Sequence, residues 1–180
     1  AQSIEPRAYS NAPVGMNFLI AGYAYAEGGL EADASVPLTN ANLQVHTTVL
    51  AYARSLDLWG RSGKVDVVIP YAWLSGDADY AGQPVAREVS GFGGPRLRLS
   101  MNFVGAPALS MAEFADYQQD LIVGASLQVG LPTGQYDADK LVNIGSNRWF
   151  IKPELGVSKA WGPWTLELST AATIFGDNED

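Results

Sequence analysis

Arg96 and Arg98 alternate with Leu97 and Leu99 in the stretch "PRLRLSMNF". The same spacing of two recurs elsewhere. Lys64 and Asp66 flank Val65, Lys152 and Glu154 flank Pro153, and Glu167 sits between Leu166 and Leu168. Successive side chains of a strand point to opposite faces, so such charges gather on one face and the aliphatic residues on the other. Arg54 and Arg148 extend the set. Cations mixed with carboxylates on one wall pair with each other and leave a field that attracts anions. That chemistry is electrostatic selection, and catalysis finds little support. His46 is the sole histidine, and cysteine is absent. No Gly-x-Ser-x-Gly, Walker or His-x-x-x-His pattern is present. "GFGGPR" precedes a strand and not a helix, so it does not read as a phosphate cradle. No catalytic residue, cofactor-binding residue or metal ligand is expected, and His46 reads as a hydrogen-bonded wall residue.

The elements that must position these charges are strands. Seven are predicted: Val14 to Tyr25, Leu43 to Leu56, Val65 to Trp73, Pro95 to Phe103, Leu121 to Leu131, Trp149 to Val157 and Trp164 to Ile174. In the second, Leu43, Val45, Val49, Ala51 and Ala53 form the expected apolar face, opposite Gln44, His46, Thr48, Tyr52 and Arg54. Connections are short after strands two and six. They are long and acidic after one, three and five, including "SGDADYAGQPVAREVSGFGG". The link "GAPALSMAEFADYQQ" reads as containing a helical turn, and Pro153 as a bulge or local edge. Glu27, Glu31, Asp33, Asp77, Asp79, Glu88, Asp137, Asp139, Asp177, Glu179 and Asp180 all fall in segments read as loops. There they are solvated, or they gather divalent cations near a charged membrane surface.

The net charge of −8 argues against nucleic acid. No apolar run is long enough for a transmembrane helix, which leaves strands of about ten alternating residues as a way across a bilayer. Tyr23, Tyr25, Tyr71, Trp73 and Trp149 lie where strands meet long loops, and Trp59, Trp161 and Trp164 lie near short turns. Two aromatic rows suit a lipid-facing barrel, and tryptophans closing the ends of a soluble sandwich give the same pattern. "AQSIEP" has the look of a terminus left after signal-peptide removal.

Several segments are together similar to one family: "EPRAYSNAPVGMNFLIAGYAY", "LDLWGRSGKVDVVIPYAW", "GFGGPRLRLSMNFVGAPAL", "LPTGQYDADKLVNIGSNRWFIKPELGVSKAWGPW" and "FGDNED". The chain resembles the proteobacterial outer-membrane channels associated with the meta pathway of phenol degradation. The resemblance implies an all-β, antiparallel, up-and-down transmembrane barrel of twelve strands, monomeric, with a narrow lumen for small and often aromatic molecules. Seven strands cannot close such a barrel, so residues 1–180 are expected to be one barrel domain that is incomplete at its C-terminus. Residues 1–13 are expected near the periplasmic mouth or in the lumen.

The expected function is passive uptake of small solutes, anionic or aromatic compounds among them. Arg54, Lys64, Asp66, Arg96, Arg98, Arg148, Lys152, Glu154 and Glu167 would line a basic constriction. Expected partners are outer-membrane lipid, lipopolysaccharide and the solutes. The alternative is a secreted or outer-membrane barrel that binds a small hydrophobic ligand. An outer-membrane enzyme would need a converging nucleophile and base, and an adhesin would use the acidic loops.

Overall fold

A computed structural model describes residues 8–29, 37–140 and 142–177. Glu31, Asp33, Glu179, Asp180 and the first seven residues of the N-terminal segment lie outside the described residues. The strands are β1 (Asn17–Gly29), β2 (Leu38–Leu58), β3 (Arg61–Tyr80), β4 (Gln83–Phe92), β5 (Arg96–Val104), β6 (Leu121–Gly130), β7 (Phe150–Trp161), β8 (Trp164–Ala171) and β9 (Ile174–Phe175). They form one antiparallel sheet in the order β1-β2-β3-β5-β6-β7-β8, curled as a half-barrel. β4 pairs with the upper half of β3 and β5 with its lower half, so β4 and β5 are one column with a break. β8 and β9 likewise share a column beside β7. The nine strands therefore make seven columns.

Two prolines account for the breaks. Pro70 accepts a hydrogen bond from Gly93 N–H at its carbonyl, and Pro153 accepts one from Ala172 N–H. A strand residue's N–H and C=O point to the same side, so each missing N–H faces the neighbouring column. That column is interrupted at Gly93–Pro95 opposite Pro70 and at Ala172–Thr173 opposite Pro153.

The acidic stretch after Trp73 is not a loop. β3 runs on to Tyr80 and turns through Ala81 (φ 50°) and Gly82 (φ 78°) into β4. Glu27, Asp77, Asp79 and Glu88 are thus strand residues, whereas Asp137 and Asp139 lie in the loop between β6 and β7. The link between β5 and β6 contains one helical turn, α1 (Met111–Phe114). Ser110 caps it and accepts from Glu113 N–H, while the Glu113 carboxylate accepts from Ser110 N–H.

Register fixes which residues share a face, because directly opposed residues of an antiparallel pair point the same way. One face carries Leu19, Leu50, Val67, Leu97, Val129 and Ile151 in successive columns. The other carries Asp66, Arg98, Gln128 and Lys152 in a single row. Burial is inverted relative to a water-soluble sheet. Leu166 and Leu168 are 65% and 68% exposed, while Asp66 is only 7% exposed. The buried apolar cluster is small, made of Tyr9, Ala106 and Ile122. An exposed apolar face this extensive needs a covering other than water.

Where β5 leaves the sheet, Gly105 adopts φ +76°, and a Cβ there would lie 1.6 Å from the Leu121 carbonyl oxygen. Gly105→Ala combines left-handed strain of about 1–2 kcal/mol with that clash. The variant is expected to lower the urea-unfolding midpoint of the refolded protein by at least that equivalent.

Candidate functional site

The N-terminal segment shows which face is the inner one. Residues 8–13 touch the polar face of five strands at once. Ser55 on β2 donates its hydroxyl to the Pro13 carbonyl, and Lys64 on β3 donates to the Ala8 carbonyl at 3.2 Å. Asn102 on β5 donates to the Tyr9 carbonyl at 3.0 Å. The Tyr9 hydroxyl reaches Ser126 on β6 at 3.3 Å and donates to Glu154 on β7 at 2.8 Å. A face that surrounds one short segment from five strands is concave, so the charged face is the inner wall.

Sequence prepares a slot for Tyr9. Gly124 and Gly156 are directly opposed on β6 and β7. A Cβ at Gly124 would come within 2.6 Å of the Tyr9 ring, and one at Gly156 within 2.1 Å. The ring lies where these two side chains would have been. The Tyr9 hydroxyl is pushed up to about 12 by burial above all, and also by the hydrogen bond that it donates to Glu154, against the opposing hydrogen bond with Ser126. Gly156→Ala is expected to expel the ring, and amides 9–12 should then lose protection in hydrogen exchange while the β6–β7 ladder keeps its own.

Arg98 donates through Nε to Asp66 at 2.9 Å, with both side chains largely buried. Lys152 and Glu154, on the same inner face of β7, are 3.9 Å apart. Arg98, Lys152, Glu154 and Glu167 line a cavity of about 60 Å³ beneath Tyr9. Ser158 donates its hydroxyl to Glu167 at 3.3 Å. Arg96 faces inward, opposed by Val68 and Gly130. Arg148 lies at the long-loop end of β7, its guanidinium 4.3 Å over the Phe175 ring.

Arg54 does not belong with them. It is opposed by Asn17 on β1 and by Val65 on β3, which puts it on the outer, apolar face. The apolar face expected for strand two is reversed for the same reason. Leu50 and Tyr52 pair with Ile69 and Val67 on the outside, while Val45, Val49, Ala51 and Ala53 point inward. The inner wall is therefore two-sided, with mostly small and aliphatic residues on β1 and β2 facing charges on β3, β5, β7 and β8. His46 is on the outer face, where its Nδ1 lies 2.6 Å from the Tyr23 hydroxyl. Among the described residues no group of His, Asp and Glu is placed to hold a metal ion.

The outer face has two aromatic rows. Tyr23, Tyr25, Tyr71, Trp73, Phe92 and Trp149 lie towards the long loops, with Tyr71 4.7 Å from Trp73 and 4.9 Å from Phe92 between ring centres. Trp59, Trp161 and Trp164 lie at the short turns, 89%, 83% and 78% exposed. Trp149 and Trp161 bracket β7. Twelve residues span about 40 Å along a strand. At a tilt of about 40° that is about 30 Å between the rows, the thickness of a bilayer's hydrocarbon core. The tip of the β3–β4 hairpin, with Asp77, Asp79 and Glu88, lies beyond the upper row.

Comparison with known proteins agrees with this geometry. The fold is similar to the crystal structure of an outer-membrane channel from Pseudomonas putida F1, with a TM-score of 0.67 and 22% identity. That alignment covers 99% of this chain and 62% of the channel's chain. No match is found among curated proteins. The model of the family described as "Putative MetA-pathway of phenol degradation" matches residues 27–180, and the chain belongs to that family.

Proposed function

We propose that the chain forms part of an outer-membrane β-barrel channel, through which small solutes pass between a charged wall and an aliphatic one. The observation that carries this reading is the inverted burial. Leucines stand exposed between two aromatic rows about 30 Å apart, while Asp66 and Arg98 are enclosed on the concave face. Lipid outside and an aqueous path inside satisfy both faces at once. The similar Pseudomonas putida F1 structure is itself an outer-membrane channel.

The wall selects by charge. Lys64, Arg96, Arg98, Arg148 and Lys152 outnumber Asp66, Glu154 and Glu167, and Asp66 holds Arg98 in place. Fixed cations in a narrow, partly dehydrated passage favour anions. Val45, Val49, Ala51 and Ala53 on the facing side suit an apolar body, so the preferred solute is a small organic anion carrying an apolar group. The role is passive and needs no catalytic group.

Planar-bilayer recording of the full-length protein under a salt gradient tests this. Discrete current steps with a reversal potential on the anion side are expected. A folded protein that never conducts would remove the channel reading, and a cation-side potential would remove the basic wall.

A further inference from the structure

The loop between β6 and β7 does not stand away from the sheet. It folds inward over the upper part of the inner face. Gln135 N–H donates to the Phe92 carbonyl, and a Cβ on the inward-facing Gly91 would meet the Gln135 side chain at 2.7 Å. Higher up, loop and hairpin separate around an open cavity of about 680 Å³. Such a volume suits a small organic ligand.

The strands that form its floor are apolar on this face. Leu43, Ala78, Tyr80 and Val85 line it, and the floor's only inward charge among these described strand residues is Arg87. Asp77 and Glu88 border the cavity from strand positions whose side chains belong to the opposite face. Asp139 and Lys140 border it from the loop, and no ion pair joins either to Arg87 among the described residues. Arg87 stands opposite Gly76, over which the Leu43 side chain leans. The Arg87 Nε is buried and has no hydrogen-bond partner among the described residues. A buried donor left unpaired costs about 1–3 kcal/mol and marks a place where a partner is missing.

We infer that this cavity is a binding site for a small carboxylate with an aromatic or branched apolar body, held by Arg87. The two terminal nitrogens of the guanidinium match a carboxylate's two oxygens through paired N–H donors. Leu43, Tyr80 and Val85 cover the apolar body. Lying above the upper aromatic row, the site would load solute before it enters the passage. In that role it rests on the channel reading, although the binding itself does not.

Binding to the full-length protein in detergent is measured by calorimetry with three probes: benzoate, its neutral relative benzyl alcohol, and acetate. Benzoate is expected to bind well above the other two. Arg87→Gln should weaken it at least about tenfold. Ala78→Trp, which fills the floor and leaves Arg87 intact, should abolish it. Both variants should keep the gel shift on heating that marks a folded barrel. Equal benzoate affinity in wild type and Arg87→Gln would overturn the site. So would acetate binding as tightly as benzoate, undiminished binding in Ala78→Trp, or no binding by the wild type. Conductance recorded on the same samples separates the two ideas: binding without current ends the channel reading alone, and current without binding ends the Arg87 site alone.

Discussion

Tyr9→Ala is expected to raise the unit conductance several-fold. The ring occupies the slot over Gly124 and Gly156, in the middle of the inner wall, and its hydroxyl ties β6 to β7 through Ser126 and Glu154. Removing it opens the passage over the small cavity lined by Arg98, Lys152 and Glu167. The rest of the segment keeps anchors of its own, since Asn11 donates to the Pro107 carbonyl and Ser55 donates to that of Pro13. The effect is therefore chiefly on width, and single-channel recording beside an unfolding curve separates it from the stability lost with the buried ring. The hydroxyl adds a pH signature. Its pKa in place, about 12, lies above the ordinary 10.0, so its share of the docking energy is complete below about pH 10 and disappears as pH rises through 12. Conductance should climb over that window in wild type and stay flat in Tyr9→Phe.

Arg98→Gln carries the second large effect, and it has two readouts. Asp66 is left almost fully enclosed without its cation, which costs about 3 kcal/mol and shows as a lowered unfolding midpoint. The reversal potential also shifts towards zero because the wall loses a fixed positive charge. Adding Asp66→Asn removes the stranded carboxylate. The double variant is expected to recover most of the stability while remaining less anion-selective than wild type. Full recovery of both would mean that Arg98 only holds the wall together. Loss of neither would place the pair outside the conducting path.

The strands that could be read from sequence were those with a clean division of labour. In β3, β5, β6, β7 and β8 one set of alternate positions is aliphatic and the other charged or small, and the observed register follows that division. β2 lacks it. Leu50 and Tyr52 share a face with Thr48 and Arg54, while Val45, Val49, Ala51 and Ala53 make the opposite face look uniformly greasy. Alternation fixes the period but not the side, and only pairing with β3 decides it. For that reason Arg54 reads as inward from the sequence and stands outward in the sheet. The β3–β4 hairpin was hidden because it projects beyond the lipid, where acids are tolerated on the outer face, and because its turn uses Ala81 in a left-handed conformation in place of the usual asparagine or aspartate. Pro153 was legible as an irregularity. Its reason, a break in the neighbouring column, required the sheet.

One face of each strand is expected to meet lipid and the other an aqueous path. The chain has no cysteine, so single cysteines report cleanly. Leu99 and Gln128 sit on adjacent strands and opposite faces. Bilayer currents through full-length Leu99→Cys and Gln128→Cys, recorded before and after a charged, membrane-impermeant thiol reagent, test the claim most directly. Current through Gln128→Cys should fall and that through Leu99→Cys should not change. A block confined to Leu99→Cys, with Gln128→Cys unaffected, would mean that the faces are reversed and the account is wrong.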